Sequence, residues 1–331
     1  MPTKSEYVLL SQAEQEILLD SLARAIAPEF GLEEAKASLL AHSFNTSFKF
    51  FTPDDNWVMR INTNSSKDAS GVLAEVQWLE ALQGSDIRVP SPLRTTSGEA
   101  FSTVLMPGSD WELFVTVNSW LKGELPGDEP TSEQLFQMGV NIAKLHEFAG
   151  TWRPKAPASL PRLDSPLLEE PIRFGSSSSL VDIATKELLF GALAECEHVF
   201  DALRHRFPLI PIHSDVHTFN VMWDGEELAI FDFDDSGMGL EVQDLPNCIY
   251  YLRGREGLEE HVLAGYSSVR TLPEISEYEF ESLLLSRQLV LLNSLFGMTT
   301  AEEIEFIPTY LDWTKKRIEH FNSSGKFAAI K

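Results

Sequence analysis

Apolar residues recur at two periods along this chain, and the changes of period mark its elements. Ser11-Gln12-Ala13-Glu14 has the form of a capping box, and Ile17, Leu18, Leu22 and Ile26 follow at helical spacing, so a helix is expected with those four on its buried face. The runs 36–41, 47–51 and 57–61 then read as strands, the last two separated by the turn composition Thr52-Pro53-Asp54-Asp55-Asn56. Residues 66–82 return to the helical period, with Val72, Val76 and Leu79 on one face and Glu75 at its border. Strand patterns resume at 87–90, 101–106 and 114–123. Pro126-Gly127 and Pro130 then break the pattern. A helix opens after Thr131-Ser132-Glu133-Gln134 with Leu135, Met138, Ile142 and Leu145 on one face, and the segments 279–296 and 304–321 are helical again. Between them, 149–179 is rich in Pro, Gly and Ser, including Phe174-Gly175-Ser176-Ser177-Ser178-Ser179, and reads either as a substrate-side loop or as a connector.

The chemistry concentrates in residues 213–233. His213-x-Asp215-x-x-x-x-Asn220 has the spacing of a phosphotransferase catalytic loop, with Ser214 where the protein-kinase pattern has Arg. In that pattern Asp215 accepts the proton of an attacking hydroxyl. Asn220 offers a neutral oxygen and Asp232 a charged one, the donors that the hard cation Mg²⁺ requires. Residues 220–223 and 228–231 read as two short strands around Asp224-Gly225, a hairpin signal. A turn over 224–227 sets Trp223 opposite Leu228 and Asn220 opposite Phe231, which brings both expected metal ligands to the open end of one hairpin.

These residues resemble the aminoglycoside phosphotransferase and choline kinase group, whose signature is H-G-D-x-H-x-x-N followed by a strand ending in D-F or D-W. Phe231-Asp232-Phe233-Asp234-Asp235 and the run from Gly239 to Leu245 look most like its stress-response and homoserine-kinase-like branch. The resemblance covers about Ser43 to about Leu252. It implies an α+β, bilobal protein-kinase-like fold: a small antiparallel-sheet N-lobe over 1–123, preceded by the extra helix, and a larger, mainly helical C-lobe over 124–331. It also implies ATP and Mg²⁺ as cofactors. Arg60 stands where the group usually grips phosphate with Lys, and Glu75 is the helix carboxylate expected to hold that cation, with Glu80, on the opposite side of the helix, as the alternative. The phosphate-side turn corresponds to 42–47, which contains no glycine. Its backbone amides and the hydroxyls of Ser43, Thr46 or Ser47 are candidate phosphate donors, and a plain polar hairpin turn is the alternative. Phe114 to Gly123 resembles the hinge strand that meets adenine through its backbone. Asp244 matches the aspartate that braces the catalytic loop, while His146, His213 and His217 are read as packing or bracing groups.

Composition narrows the partners. The chain has 331 residues, is 43% hydrophobic and carries a net charge of −24, which argues against nucleic acid or an anionic membrane. The same charge would steer a cationic acceptor, or serve only solubility. Tyr250, Tyr251, Tyr266 and Trp313 are candidates for a cation-binding aromatic box, with ordinary core packing as the alternative. The first residues lack the sustained apolar core of a signal peptide, and Cys196 and Cys248 lack zinc-site spacing, so a cytoplasmic protein is expected. Three activities stay open: a small-molecule hydroxyl kinase, a serine/threonine protein kinase of the stress-response type, and a nucleotide-binding pseudokinase.

Overall fold

The computed structural model describes residues 7–53, 55–65, 67–107, 109–175, 180–298 and 300–331. Helix α1, Gln12–Ile26, opens on the capping box: Ser11 accepts from the Glu14 amide and Glu14 accepts from the Ser11 amide at 2.8 Å. Its buried face is Gln15, Leu19, Leu22, Ala23 and Ile26, and Ile17 is 68% exposed, so the inward stripe is rotated from the expected one. The cause is polar. Gln15 lies inward because it bonds His42 at 2.8 Å and donates to the Tyr7 carbonyl at 3.1 Å, a pairing that apolar periodicity does not register.

Strands β1 (Lys36–His42), β2 (Thr46–Phe51), β3 (Asn56–Ile61), β4 (Pro92–Leu93), β5 (Ser102–Leu105) and β6 (Glu112–Ser119) form one antiparallel sheet. Its order is β1-β2-β3-β6-β4, with β5 also on β6. Phe48, Phe50, Met59, Ile61, Val115 and Val117 face α1 and make the core of this lobe. The strand expected at 87–90 is absent. Arg88 instead makes a lone parallel bridge to Ala229, and its carbonyl accepts from the Ile230 amide at 2.9 Å, so this segment fastens the sheet lobe to the helical one. Helix α2, Ala69–Leu82, starts later than expected because Asp68 caps it, accepting from the Gly71 amide at 2.9 Å; Ser66 lies outside the described residues, as does Asp54 of the turn after β2.

The helical lobe contains α3 (Ser132–Thr151), α4 (Ile183–Arg204), β7 (Leu209–Ile212), β8 (Val221–Trp223), β9 (Leu228–Ile230), β10 (Gly237–Leu240), α5 (Asp244–Tyr250), α6 (Leu258–Val269), α7 (Glu277–Leu295) and α8 (Ala301–Ser324). The fold is α+β and bilobal, an antiparallel sheet followed by a mainly helical part. The β8–β9 hairpin has the expected register: Trp223 pairs with Leu228, and the Phe231 amide donates to the Asn220 carbonyl at 3.0 Å. Helices α3 and α6 approach backbone to backbone through Gly139 and Gly265. A Cβ at either would collide with a carbonyl of the other helix, Val262 or Phe136 respectively. Where the chain leaves the sheet lobe, Gly123 takes φ 127° against the Trp223 carbonyl, a place with no room for a side chain. Glu124 and Trp223 then exchange two backbone bonds, at 2.8 and 2.9 Å. The 149–175 part of the Pro, Gly and Ser-rich stretch has no regular helix or strand beyond the end of α3, and Ser176 to Ser179 lie outside the described residues.

Candidate active site

The loop that carries the motif residues Asp215 and Asn220 is the connection from β7 to β8, and its shape is imposed from below. Asp244, at the start of α5, accepts from the backbone amides of Ser214 (2.7 Å) and His213 (3.2 Å), and His146 on α3 bonds the same carboxylate at 3.1 Å. Asn247 donates to the Ser214 carbonyl at 2.7 Å. These bonds hold Ser214 at φ 70°, a left-handed conformation that favours glycine. His213 is fully buried. It accepts from the Asp215 amide through Nδ1 (3.2 Å), which leaves Nε2 to donate to the Phe231 carbonyl (3.0 Å), and burial depresses its pKa, so it sits neutral in one tautomer. His146 and His213 are therefore braces.

Asp215 emerges with its two oxygens in different surroundings. The amide of Asn220 donates to its carbonyl and to Oδ2, both at 3.0 Å, and His217 lies 3.5 Å from Oδ2. Oδ1 meets the Tyr251 hydroxyl at 3.5 Å and forms an ion pair with Arg287. Burial pushes the carboxyl pKa up, but Arg287 and His217 outweigh that and leave it below the usual value. With its nitrogen spent on Asp215, Asn220 keeps its oxygen for another partner.

Asp232 follows at the hairpin's open end, at φ 62°. Its side chain is 48% exposed to the cleft, yet withdrawal from bulk water there raises its pKa to about 6, with Asp234, Asp215 and Glu75 adding to the rise and Arg60 opposing it. This is a site with uncompensated negative charge, which a divalent cation would relieve, so Asn220 and Asp232 fit Mg²⁺. Among the described residues no group of three or more His, Cys, Asp or Glu is placed to hold a metal ion. Mg²⁺ at phosphotransferase sites is ordinarily carried by one or two protein groups, water and the phosphates.

Across the cleft, Arg60 on β3 is buried and donates to Glu75 on α2 at 2.6 Å and to Asn62 at 3.0 Å, with Asp232 at 3.5 Å and Asp234 at 3.6 Å. Glu75 is 1% exposed, and Arg60 and Lys67 together overcome its burial to hold its pKa at about 2. Glu80, on the other side of α2, pairs with Arg94 at the surface.

The hydroxyls of the 42–47 turn divide. Ser43 and Ser47 line the cleft. Thr46 does not: strand alternation turns it inward with Phe48 and Phe50, fully buried, and its hydroxyl bonds His42 at 2.8 Å. Its side chain is withdrawn from the set of candidate phosphate donors. The aromatic box also fails to assemble. Tyr250 is buried in a network with Gln288, Tyr310 and Arg317, Tyr266 bonds His146 at 3.0 Å, and only Tyr251 of the four lines the cleft.

Several contributors escaped the sequence. Lys67 donates to Glu75 (2.9 Å) and to the Phe233 carbonyl (2.8 Å), tying α2 to the segment after Asp232. Asp234 accepts from Asn45 (2.7 Å) and Ser65 (3.0 Å), which draws the phosphate-side turn onto the helical lobe. Arg287 gave one signal, being the only charged residue between Glu281 and Glu302 in an apolar helix. Asn45, Asp234 and Arg287 line a cavity of about 610 Å³ between the lobes, with Val58, Asn118 to Leu121 and Met222 at one end and Tyr251, Arg287, Val290 and Leu291 at the other.

A profile of the phosphotransferase enzyme family matches residues 38–278. The amicoumacin kinase of Bacillus subtilis is 21% identical over 244 residues, 72% of this chain and 68% of that protein. Among solved structures, a microcompartment-associated aminopropanol kinase superposes with a TM-score of 0.75 at 20% identity, covering 94% of this chain and 99% of its own. The amicoumacin kinase hAmiN, in complex with AMP-PNP, Ca²⁺ and Ami, gives a TM-score of 0.71 at 16% identity, covering 92% and 96%.

Proposed function

The chain belongs to the phosphotransferase enzyme family, and from that premise we propose that it transfers the γ-phosphate of ATP to a hydroxyl of a small molecule. The observation that carries this reading is that Asp215, Asn220, Asp232 and Arg60, the last backed by buried Glu75, all border one interlobe cleft. The nucleotide enters between β3 and the β8–β9 hairpin, its base against Val58 and Met222 and its phosphates toward Arg60, Ser43 and Ser47. The lobes are assigned to 1–123 and 124–331, hinged at Gly123. The amicoumacin and aminopropanol kinases support a small-molecule acceptor, and the hAmiN complex supports nucleotide and divalent-metal use.

Asp215 orients the acceptor hydroxyl and takes its proton, through a carboxylate fixed by Asn220 and by the amides that Asp244 holds. Arg60, neutralised from behind by Glu75, keeps its remaining donors for phosphate oxygens. Mg²⁺, held by Asn220 and Asp232, would neutralise charge on the phosphates. Positioning and charge neutralisation carry such a transfer, and no covalent enzyme intermediate is needed.

The test is ATP consumption over a panel of amino alcohols, aminoglycosides, sugars, hydroxy acids and protein acceptors. Asp215→Asn is expected to keep ATP binding by calorimetry and to lower turnover at least ~10²-fold. Near-normal turnover in that variant would remove Asp215 as the base. Turnover with protein acceptors alone would transfer the assignment to a protein kinase.

A further inference from the structure

We propose that the acceptor presents an anionic group, a carboxylate, close to the hydroxyl that is phosphorylated, and that Arg287 receives it. The proposal rests on the kinase reading above and names its acceptor class. The first argument is where Arg287 stands. Asp215 turns Oδ2 toward Asn220 and His217, the side of the expected metal, and Oδ1 toward Arg287 and Tyr251. A hydroxyl approaching Asp215 from the side away from the metal therefore arrives beside the Arg287 guanidinium.

The second argument is the state of that guanidinium. Its side chain is 3% exposed, and every protein bond it makes leaves from Nη2, to Asp215 and to the Tyr251 hydroxyl at 2.7 Å. Nε is buried with no partner, and Nη1 has no hydrogen-bond partner among the described residues. A guanidinium carries five donors in a rigid fork matched to a carboxylate. Burying one with donors unspent is costly, and an apolar side chain at this point of α7 would avoid the cost. The unused donors belong to a residue that lines the acceptor end of the cleft, and a carboxylate there completes them.

The third argument comes from the surroundings. Asp215, Asp232, Asp234 and Asp235 border the same cavity, so a carboxylate entering it meets repulsion except at its two guanidinium groups, Arg60, which Glu75 already neutralises and the phosphates would occupy, and Arg287. Tolerance of an anionic acceptor would then depend on one residue. Val290, Leu291 and Met298 supply an apolar wall suited to a short carbon chain, with the Ser294 hydroxyl beside it.

The experiment uses the full chain with ATP and Mg²⁺ and matched acceptors of three to six carbons: an ω-hydroxy acid, its primary amide and the corresponding amino alcohol. The hydroxy acid is expected to exceed its amide in kcat/KM by roughly 10- to 100-fold, the scale of one charge-assisted hydrogen bond. Arg287→Met should erase or invert that preference and leave the ATP dissociation constant within about twofold; Arg287→Lys should restore part of it. Binding is read independently as the thermal shift given by the hydroxy acid in the presence of AMP-PNP and Mg²⁺, present in the wild type and lost in Arg287→Met. Wild-type preference for the amide or amino alcohol would overturn the proposal. So would equal losses for all three acceptors in Arg287→Met, which would make Arg287 only a positioning residue for Asp215. ATP consumption with none of the acceptors, and no binding shift from the hydroxy acid, would overturn the proposal too. The wider panel and Asp215→Asn then show whether the kinase reading fails with it.

Discussion

At the scale of single residues, the cleft is a balance of carboxylates against two buried guanidinium groups. Asp232 is incompletely compensated, its pKa raised from 3.8 to about 6, and Asp235 beside it is pushed up further, to about 7. The native state therefore binds the Asp232 proton more tightly than the unfolded chain does. The carboxylate destabilises the metal-free fold above pH ~6, and that penalty fades as pH falls toward ~4. Asp232→Asn is expected to raise the melting temperature of the metal-free protein at pH 7.5, with the gain shrinking through pH 6 and vanishing below about pH 4. The same variant should lose Mg²⁺-dependent ATP binding. A thermal-unfolding series with and without MgATP reads both, and a pH-independent difference would remove the carboxylate repulsion from the account. Arg60 makes a second case. Arg60→Ala should weaken ATP binding about 10- to 100-fold and leave adenosine binding nearly unchanged, because only the phosphates lose charge-assisted bonds. Arg60→Lys should recover much of the loss, and equal weakening of both ligands would mean that Arg60 serves packing alone.

At the scale of elements, the helical lobe depends on how closely α3 and α6 approach. Gly139 and Gly265 each face a carbonyl of the opposite helix, so Gly139→Ala forces the pair apart. The expected cost is about 1–3 kcal/mol, typical of overpacking, read as a lower denaturation midpoint at an unchanged m-value. Because His146 sits on α3 and bonds both Asp244 and Tyr266 of α6, turnover should fall as well. An unchanged midpoint would mean that the helices separate freely. The elements with local signals were legible in the sequence: the capping box before α1, the opening of α3 after Thr131, and the β8–β9 hairpin down to its register. Helix α4 was not read, nor was the β7–β10 pair, whose strands are separated by 24 residues that hold the catalytic-loop motif and another hairpin, so no local turn joins them. The supposed strand at 87–90 carried strand composition but met a hairpin of the other lobe in place of a sheet edge.

At the scale of the whole molecule, the charge of −24 acts on stability before it acts on any partner. Self-repulsion weakens as salt shortens the Debye length from about 30 Å at 0.01 M to about 8 Å at 0.15 M. Stability should therefore rise over that range of NaCl, as followed by the melting temperature; a fall would mean that attractive surface pairs dominate. Bonds between the two lobes include Asn45 and Ser65 to Asp234, Lys67 to the Phe233 carbonyl, Arg88 to the hairpin, Gln77 to Lys155 and the Ser159 amide to the Ser70 carbonyl, and the cleft lies between them. The sequence by itself determined the family motif, the base and metal-ligand candidates, and the order of sheet then helices, because each rests on residues within a few positions of one another. Only the tertiary structure decided what stands around Asp215. Arg287 comes from 72 residues away to its Oδ1, Asn45 from 189 residues away to Asp234, and Thr46 turns inward although it lies in the predicted loop. Such partners are chosen by which surfaces the lobes bring together, and neither periodicity nor motif spacing carries that information.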